Sequence, residues 1–212
     1  MLITIISREK SWFNEYLESF IDKLKTDRHQ VSWVCHAKDI KNGDIAFFLS
    51  FEQIVDKGIL GLHQNNIVVH GSNLPKGKGM SPITWQILEG KNEIPITLFE
   101  MVEKVDDGNI YIQDIIKLDG TELVNEIRDK QAKSTLELCL NFLQNYPEIL
   151  KQGKNQTGQE SFYKRRSAKD SQLHIDKTIE EQFDLLRIVD NEQYPAFFEY
   201  KNQKYFLKIS KE

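Results

Sequence analysis

Apolar positions along this chain follow two different periods, and the changes between them mark its elements. Residues 2–6 (LITII) are an unbroken, mostly β-branched run, as expected of a strand buried on both faces. Phe13, Tyr16, Leu17, Phe20, Ile21 and Leu24 then recur at helical spacing, with Ser11 available as N-cap. Val31–Cys35 alternates as a strand does, and Asp44–Leu49 and Asn66–His70 are further short apolar runs. Strands separated by helical stretches predict βαβ units, so about the first 115 residues read as α/β with a mostly parallel sheet.

Beyond Thr121 the period lengthens. Leu123, Ile127, Leu136, Leu140 and Leu143 predict a long amphipathic helix that stops before Tyr146 and Pro147. Residues 151–161 are polar with two glycines and read as a linker or mobile loop. A short helix over Ile179–Val189 follows, then two aromatic runs, Ala196–Tyr200 and Lys204–Ile209, joined by a hairpin turn at Lys201, Asn202 and Gln203. The pattern therefore divides the chain into a catalytic-sized domain, 1–150, and a small α+β appendage, 151–212.

Composition narrows the function classes. The 212 residues carry 28 Lys and Arg against 32 Asp and Glu, a formal charge of −4. That balance argues against nucleic-acid partners, whose phosphates call for a basic field. A hydrophobic fraction of 40% with mean hydropathy −0.49 suits an ordinary globular chain. No apolar run approaches the ~20 residues of a membrane span, and the opening residues lack the order of a secretory signal, which points to a cytoplasmic protein without membrane partners. Cys35 and Cys139 form no motif, and no Cys/His spacing suggests a metal.

The candidate chemistry lies between Asn66 and Gln113. The strand ending at His70 delivers an imidazole to the carboxyl edge of the sheet, where open α/β sheets bind ligands. A loop with Pro75, Gly77 and Gly79 follows, then a helix expected to be capped by Ser81 with Pro82 at its first position. The alternating run Ile94–Phe99 leads to the turn Asp106, Asp107, Gly108, which can carry a carboxylate back toward His70. A histidine near an aspartate suits proton transfer. A lone strand-end histidine is, equally, a common rim residue, and the turn is by itself ordinary.

Several ordered matches carry a resemblance. His70, Gly71, Ser72, Asn73, Leu74 and Pro75, then Gly79, Ser81 and Pro82, Trp85 and Leu88, Ile96 to Leu98, and Val105 to Gly108 with Ile110 and Gln113, resemble the formyltetrahydrofolate-dependent formyltransferases. Residues 46–60 are similar to that family's folate-pocket strand and loop, and 163–198 to the tail of its aminosugar and methionyl-tRNA branches. The resemblance implies a Rossmann-like formyltransferase fold, with a shortened N-terminal part that leaves the folate site more open. It implies 10-formyltetrahydrofolate as co-substrate and no metal.

By the same resemblance, His70 matches the catalytic histidine and Asp106 the carboxylate that orients it, leaving Asp107 as a solvated turn residue. Phe51, Gln53, Ile54 and Val55, with Val105 and Gly108, match the folate-binding segments. Ser72, Lys76 and Lys78 stand where they can meet the substrate or the folate glutamate tail. One position departs: the family's third catalytic group, an Asn two residues before the histidine, is Val68 here. Asn73 is the favoured replacement donor, with Asn66 or backbone N–H groups as alternatives. Among acceptors, a nucleotide-linked aminodideoxysugar is expected ahead of glycinamide ribonucleotide or methionyl-tRNA, given the acidic charge, the short tail and the segment Tyr163–Arg166. A non-catalytic folate-binding relative and a homodimer through the terminal hairpin are the other expectations.

Overall fold

The computed structural model describes all 212 residues. Ten strands and five α-helices follow one another as β1 (Leu2–Ile6), α1 (Leu17–Thr26), β2 (Gln30–Val34), β3 (Gly43–Phe48), α2 (Lys57–Leu60), β4 (His63–His70), β5 (Lys78–Gly79), α3 (Pro82–Leu88), β6 (Glu93–Glu100), β7 (Ile110–Lys117), α4 (Val124–Gln144), β8 (Phe162–Tyr163), α5 (Phe183–Arg187), β9 (Ala196–Tyr200) and β10 (Gln203–Leu207). Six strands make the main sheet in the order β2-β1-β3-β4-β6-β7. β2, β1, β3 and β4 are mutually parallel, whereas β6 runs antiparallel to both β4 and β7.

Strand patterning explains the layers. Ile3 and Ile5 of β1, with Ile45 and Phe47 of β3, face the larger core, which also takes Phe20 of α1 and Phe142 of α4. Ile6, Ala46 and Phe48 point to the other face and pack with Ile40 and Val55. Both sides of these strands are covered, so the runs are continuous rather than alternating. On α4 the buried stripe runs through Ile127, Leu138, Cys139 and Phe142, while Leu136 and Leu140 are half-buried. No helix is long and apolar enough to cross a membrane.

Three local expectations meet a different structure. Ser11 caps a 3-10 turn, Trp12–Tyr16, that precedes α1, its Oγ accepting from the Phe13 N–H at 3.2 Å. Ser81 stands at the N-cap of α3 but makes no capping bond, because its backbone is left-handed (φ 54°). The helix anticipated over 179–189 is a 3-10 turn, Glu180–Gln182, running into α5, and the Gln182 amide ties it to the backbone of His174, Lys177 and Thr178.

The last sixty residues do not hang apart. β8 pairs in parallel with β5, inside the loop that follows His70. Trp85 of α3 stacks on Tyr163 at 6.4 Å and donates its indole N–H to the Lys164 carbonyl at 2.8 Å. β9 and β10 form a separate hairpin whose two-residue loop, Lys201 and Asn202, has φ values of 49° and 62°, the positive pair that matches strand twist. Tyr200, Tyr205 and Phe206 remain on its surface.

Candidate active site

A cleft of about 510 Å³ opens at the carboxyl ends of β1, β3 and β4. Arg8 follows β1, Ser50 and Phe51 follow β3, and His70 and Gly71 close β4, so the parallel strands deliver each wall by the same rule that places ligands at such sheet edges. The C-terminal segment completes the cleft with Arg165 to Ser167 and with Asp190 and Tyr194. Three of the six non-glycine residues with left-handed backbone, Ser50, Ser81 and Asp106, lie on its walls. Such conformations persist only where surrounding contacts impose them, and they concentrate at functional sites.

His70 is 9% exposed, and its Nε2 lies 2.8 Å from the Gly77 carbonyl oxygen. A carbonyl only accepts, so in the neutral ring Nε2 carries the proton and Nδ1 keeps its lone pair. Nδ1 faces Asp106 Oδ1 at 3.9 Å. That gap is too wide for a direct hydrogen bond, and it leaves the Nδ1 lone pair open to a third polar atom. The other carboxylate oxygen, Oδ2, accepts the Gly79 N–H at 2.9 Å, which fixes the plane of the Asp106 group.

The turn that carries Asp106 is held from several sides. Gln156 Nε2 donates to the Asp106 and Gly108 carbonyls at 2.9 and 3.0 Å. Gly108 is buried so tightly that an added Cβ would sit 1.7 Å from the Glu100 carbonyl oxygen. Asp107 is no solvated turn residue: it binds the Lys78 ammonium at 2.7 Å and that of Lys104 at 3.0 Å, and these two cations hold its carboxyl below the usual carboxylate range.

Val55, Phe51 and Gln53 line the cleft, as do Ile54 and Val105. The isopropyl and sec-butyl groups at its mouth are unusually open, with Ile54 85% and Val105 58% exposed. Val68 shares the wall with His70, half-buried and without a polar atom. Elsewhere the structure departs from the sequence reading. Asn73 does not line the cleft; its amide oxygen accepts from Gln113 Nε2 at 3.0 Å. Asn66 donates instead to the Leu60 carbonyl at 2.9 Å. Ser72 is buried behind His70, and Lys76 projects outward. Lys78, expected to meet substrate, has instead a fully buried side chain gripped by Asp107 and Glu160. Gly108 serves packing, with its Cα against Glu100.

Sequence reasoning singled out Lys164–Arg166 as a basic cluster able to meet a diphosphate or to lie solvated, and missed Arg8 and Arg128 of the same wall. Arg165 pairs with Glu52 at 3.0 Å, and Arg8 approaches the same carboxylate at 3.6 Å. Arg128 pairs with Asp190 at 2.9 Å and lies over Trp12. Arg166 donates from Nη2 to the Asp170 carbonyl, while its buried Nε has no partner. The run Lys164–Arg166 was the available signal, but a short basic run is usually a solvated face. Asp170 anchors this run through Lys164 at 2.7 Å, which, against its burial and with the Ser167 N–H and hydroxyl helping, holds its carboxyl at about 2. Its stabilisation is complete above the unfolded value near 4 and is lost as pH falls toward about 2. Asp170→Asn should therefore lower the melting temperature at pH 7, with the difference from wild type shrinking in melts taken progressively below pH 4.

A mixed sheet with its cleft at the parallel carboxyl edge, and an imidazole and a carboxylate facing each other there, define an α/β protein with a ligand-sized site at its strand ends. The model of the formyl transferase family matches residues 24–142, more than half of the chain, and the chain belongs to that family. Among solved structures it is similar to a methionyl-tRNA formyltransferase from Clostridium thermocellum, at 22% identity and TM-score 0.80, covering 100% of this chain and 94% of that one. It is similar to a sugar N-formyltransferase from a Shewanella species, at 15% identity and TM-score 0.71, covering 100% and 98%. HypX from Aquifex aeolicus in complex with tetrahydrofolic acid gives 14% and 0.75, over 98% of this chain and 37% of that one. At these identities the likenesses show the fold, which is the formyltransferase fold with a small extra antiparallel hairpin.

Proposed function

We propose that this protein transfers the formyl group of 10-formyltetrahydrofolate to the amine of a nucleotide-linked aminodideoxysugar. The observation that carries the transfer chemistry is the His70–Asp106 pair, 3.9 Å apart on the wall of one cleft. The co-substrate, when bound, supplies the carbon group, and everything else falls to side chains. His70 Nδ1 accepts a proton from the attacking amine, because the Gly77 carbonyl reserves Nε2 as a donor. The imidazolium that results faces the Asp106 carboxylate, which stabilises it and keeps the ring oriented until that proton passes to the departing folate nitrogen, whose bond to the formyl carbon breaks as the new one to the amine is kept.

The cleft fits both partners in kind. Exposed Ile54, Val102 and Val105, beside Phe51 and Met101, offer an apolar slot for a flat heteroaromatic ring. The unpartnered Nε of Arg166, with Arg165 and Arg128 nearby on the walls, suits the phosphates of a nucleotide sugar. A second reading, transfer to methionyl-tRNA, is favoured by the TM-score of 0.80 and opposed by the charge of −4. Incubation with 10-formyltetrahydrofolate and either UDP- and dTDP-linked 4-amino-4,6-dideoxysugars or methionyl-tRNA decides between them. Turnover only with the sugars supports the proposal, and turnover only with the tRNA replaces it.

Val68 makes a separate expectation. Val68→Asn sets a carboxamide two residues before His70 on the same face of β4. A donor of this kind aimed at developing negative charge should raise kcat by about tenfold or more. Steady-state kinetics on the variant check this; an unchanged or lower kcat means that the chain already stabilises that charge elsewhere.

A further inference from the structure

One fully buried charge near the cleft is not on its wall. The Lys78 side chain is wholly excluded from solvent, and its ammonium lies 2.7 Å from both Asp107 Oδ1 and Glu160 Oε1. Burial alone would pull this ammonium down, but hydrogen bonds to the two carboxylates hold it above its ordinary value. A buried ammonium between two acids is costly to desolvate and is kept where geometry must be fixed.

What it fixes can be followed atom by atom. Asp107 is the neighbour of Asp106, and Gly79, the neighbour of Lys78, donates its N–H to Asp106 Oδ2. Lys78 thus grips the Asp106 turn through side chain and backbone together. The opposite side of the grip comes from residues 154–161, which the sequence marks as linker. Lys154 pairs with Ile110 through two backbone hydrogen bonds, at 2.8 and 2.9 Å. Gln156 clamps the Asp106 and Gly108 carbonyls, Glu160 holds Lys78, and Ser161 accepts the Gly77 N–H on its Oγ and the Lys78 N–H on its carbonyl, both at 2.9 Å. Gly77 is also the residue whose carbonyl receives His70 Nε2. One strap therefore holds Asp106 directly and reaches His70 through Gly77, and it contacts Asp106 where the backbone is left-handed, with φ 52°.

We infer that Lys78 is a positioning residue for the Asp106–His70 pair, acting with Glu160 and Gln156 of the 154–161 strap, and that it never contacts substrate. The inference rests on the acid–base role proposed for that pair. Kinetics on Lys78→Met, Lys78→Arg and Glu160→Gln, with Asp106→Asn alongside, test it. Lys78→Met should lower kcat by roughly 10- to 100-fold, the scale of a small misplacement of reacting groups, while KM for both substrates stays within about threefold. Lys78→Arg should recover most of that loss, and Glu160→Gln should show a smaller loss of the same kind. A raised acceptor KM with kcat retained overturns the inference, because it would place Lys78 against substrate. Should Lys78→Met not fold, Glu160→Gln decides: kcat at the wild-type value overturns the inference. If Asp106→Asn itself keeps the wild-type rate, the acid–base reading falls; if only the Lys78 and Glu160 variants are silent, that reading stands and the strap has no catalytic part.

Discussion

His70→Ala and Asp106→Asn are each expected to lower formyl transfer by about 10²–10⁴-fold, the range that a positioned general acid–base group supplies, with both variants still folding. The two losses have different origins. Alanine at 70 removes the Nδ1 lone pair proposed to take the proton, and the space left beside Gly77 opens onto the cleft. Asparagine at 106 keeps an oxygen for the Gly79 N–H, so the turn survives, but the negative charge facing Nδ1 at 3.9 Å is gone. Because both act on one proton transfer, the double variant should lose little more than the worse single variant. Initial rates of formyl transfer, with circular dichroism and thermal melts on the same preparations, read this out. A double variant whose losses multiply would mean that the two groups work independently, and near-wild-type rates in either single variant would remove the pair from the mechanism.

Gly108→Ala is the substitution expected to damage the fold most. Its new methyl group would lie 1.7 Å from the Glu100 carbonyl oxygen and 2.7 Å from the carbonyl carbon, both backbone atoms that cannot swing aside. Glu100 is pinned in turn, with its N–H on the Asn109 carbonyl and its carboxylate on the Asn66 N–H, the Asn65 amide and the Tyr111 hydroxyl. The turn must therefore lift away from β6. The cost is about 3 kcal/mol, the upper end for overpacking, or a melting temperature lowered by roughly 6–12 °C. Asp106 lies two residues before this glycine and should be carried out of line with His70, so kcat should fall further than the lost stability accounts for. Melting curves and kcat on the same sample test both halves. A variant that melts as wild type does would show that the close approach of Gly108 to Glu100 is dispensable.

The hydrophobic pattern of the chain was enough to place most of the main sheet. Runs such as 2–6 and 44–49 specify strands covered on both faces, and the helical spacing of Ile127 and Leu143 specifies α4, because these periods report how each element meets its neighbours locally. The position of His70 at a strand end, and the family pattern around it, were equally legible. Lys78 and the segment 151–161 were misread for one reason. A lysine between two glycines, or a polar stretch with glycines, looks solvent-facing until the partner that neutralises or hydrogen-bonds it is known. Those partners, Asp107, Glu160 and the Asp106 turn, are contributed from 29 to 82 positions away.

The same distinction holds for Asn73 and for the arginines. The family pattern made Asn73 a candidate donor at the site, yet its side chain lies outside the cleft, its amide oxygen accepting from Gln113, 40 positions on. The run Lys164–Arg166 was visible as a basic cluster, but that Arg165 and Arg166 line the cleft depends on β8 docking beside β5 after more than eighty intervening residues. Local periodicity and the chemistry of single residues are written in the order of the amino acids, and they determined most of the sheet, the long helix and the place of His70 at a strand end. Which buried charges meet, which amide is free and which residues close the cleft are decided by contacts between distant segments, and those exist only once the chain has packed.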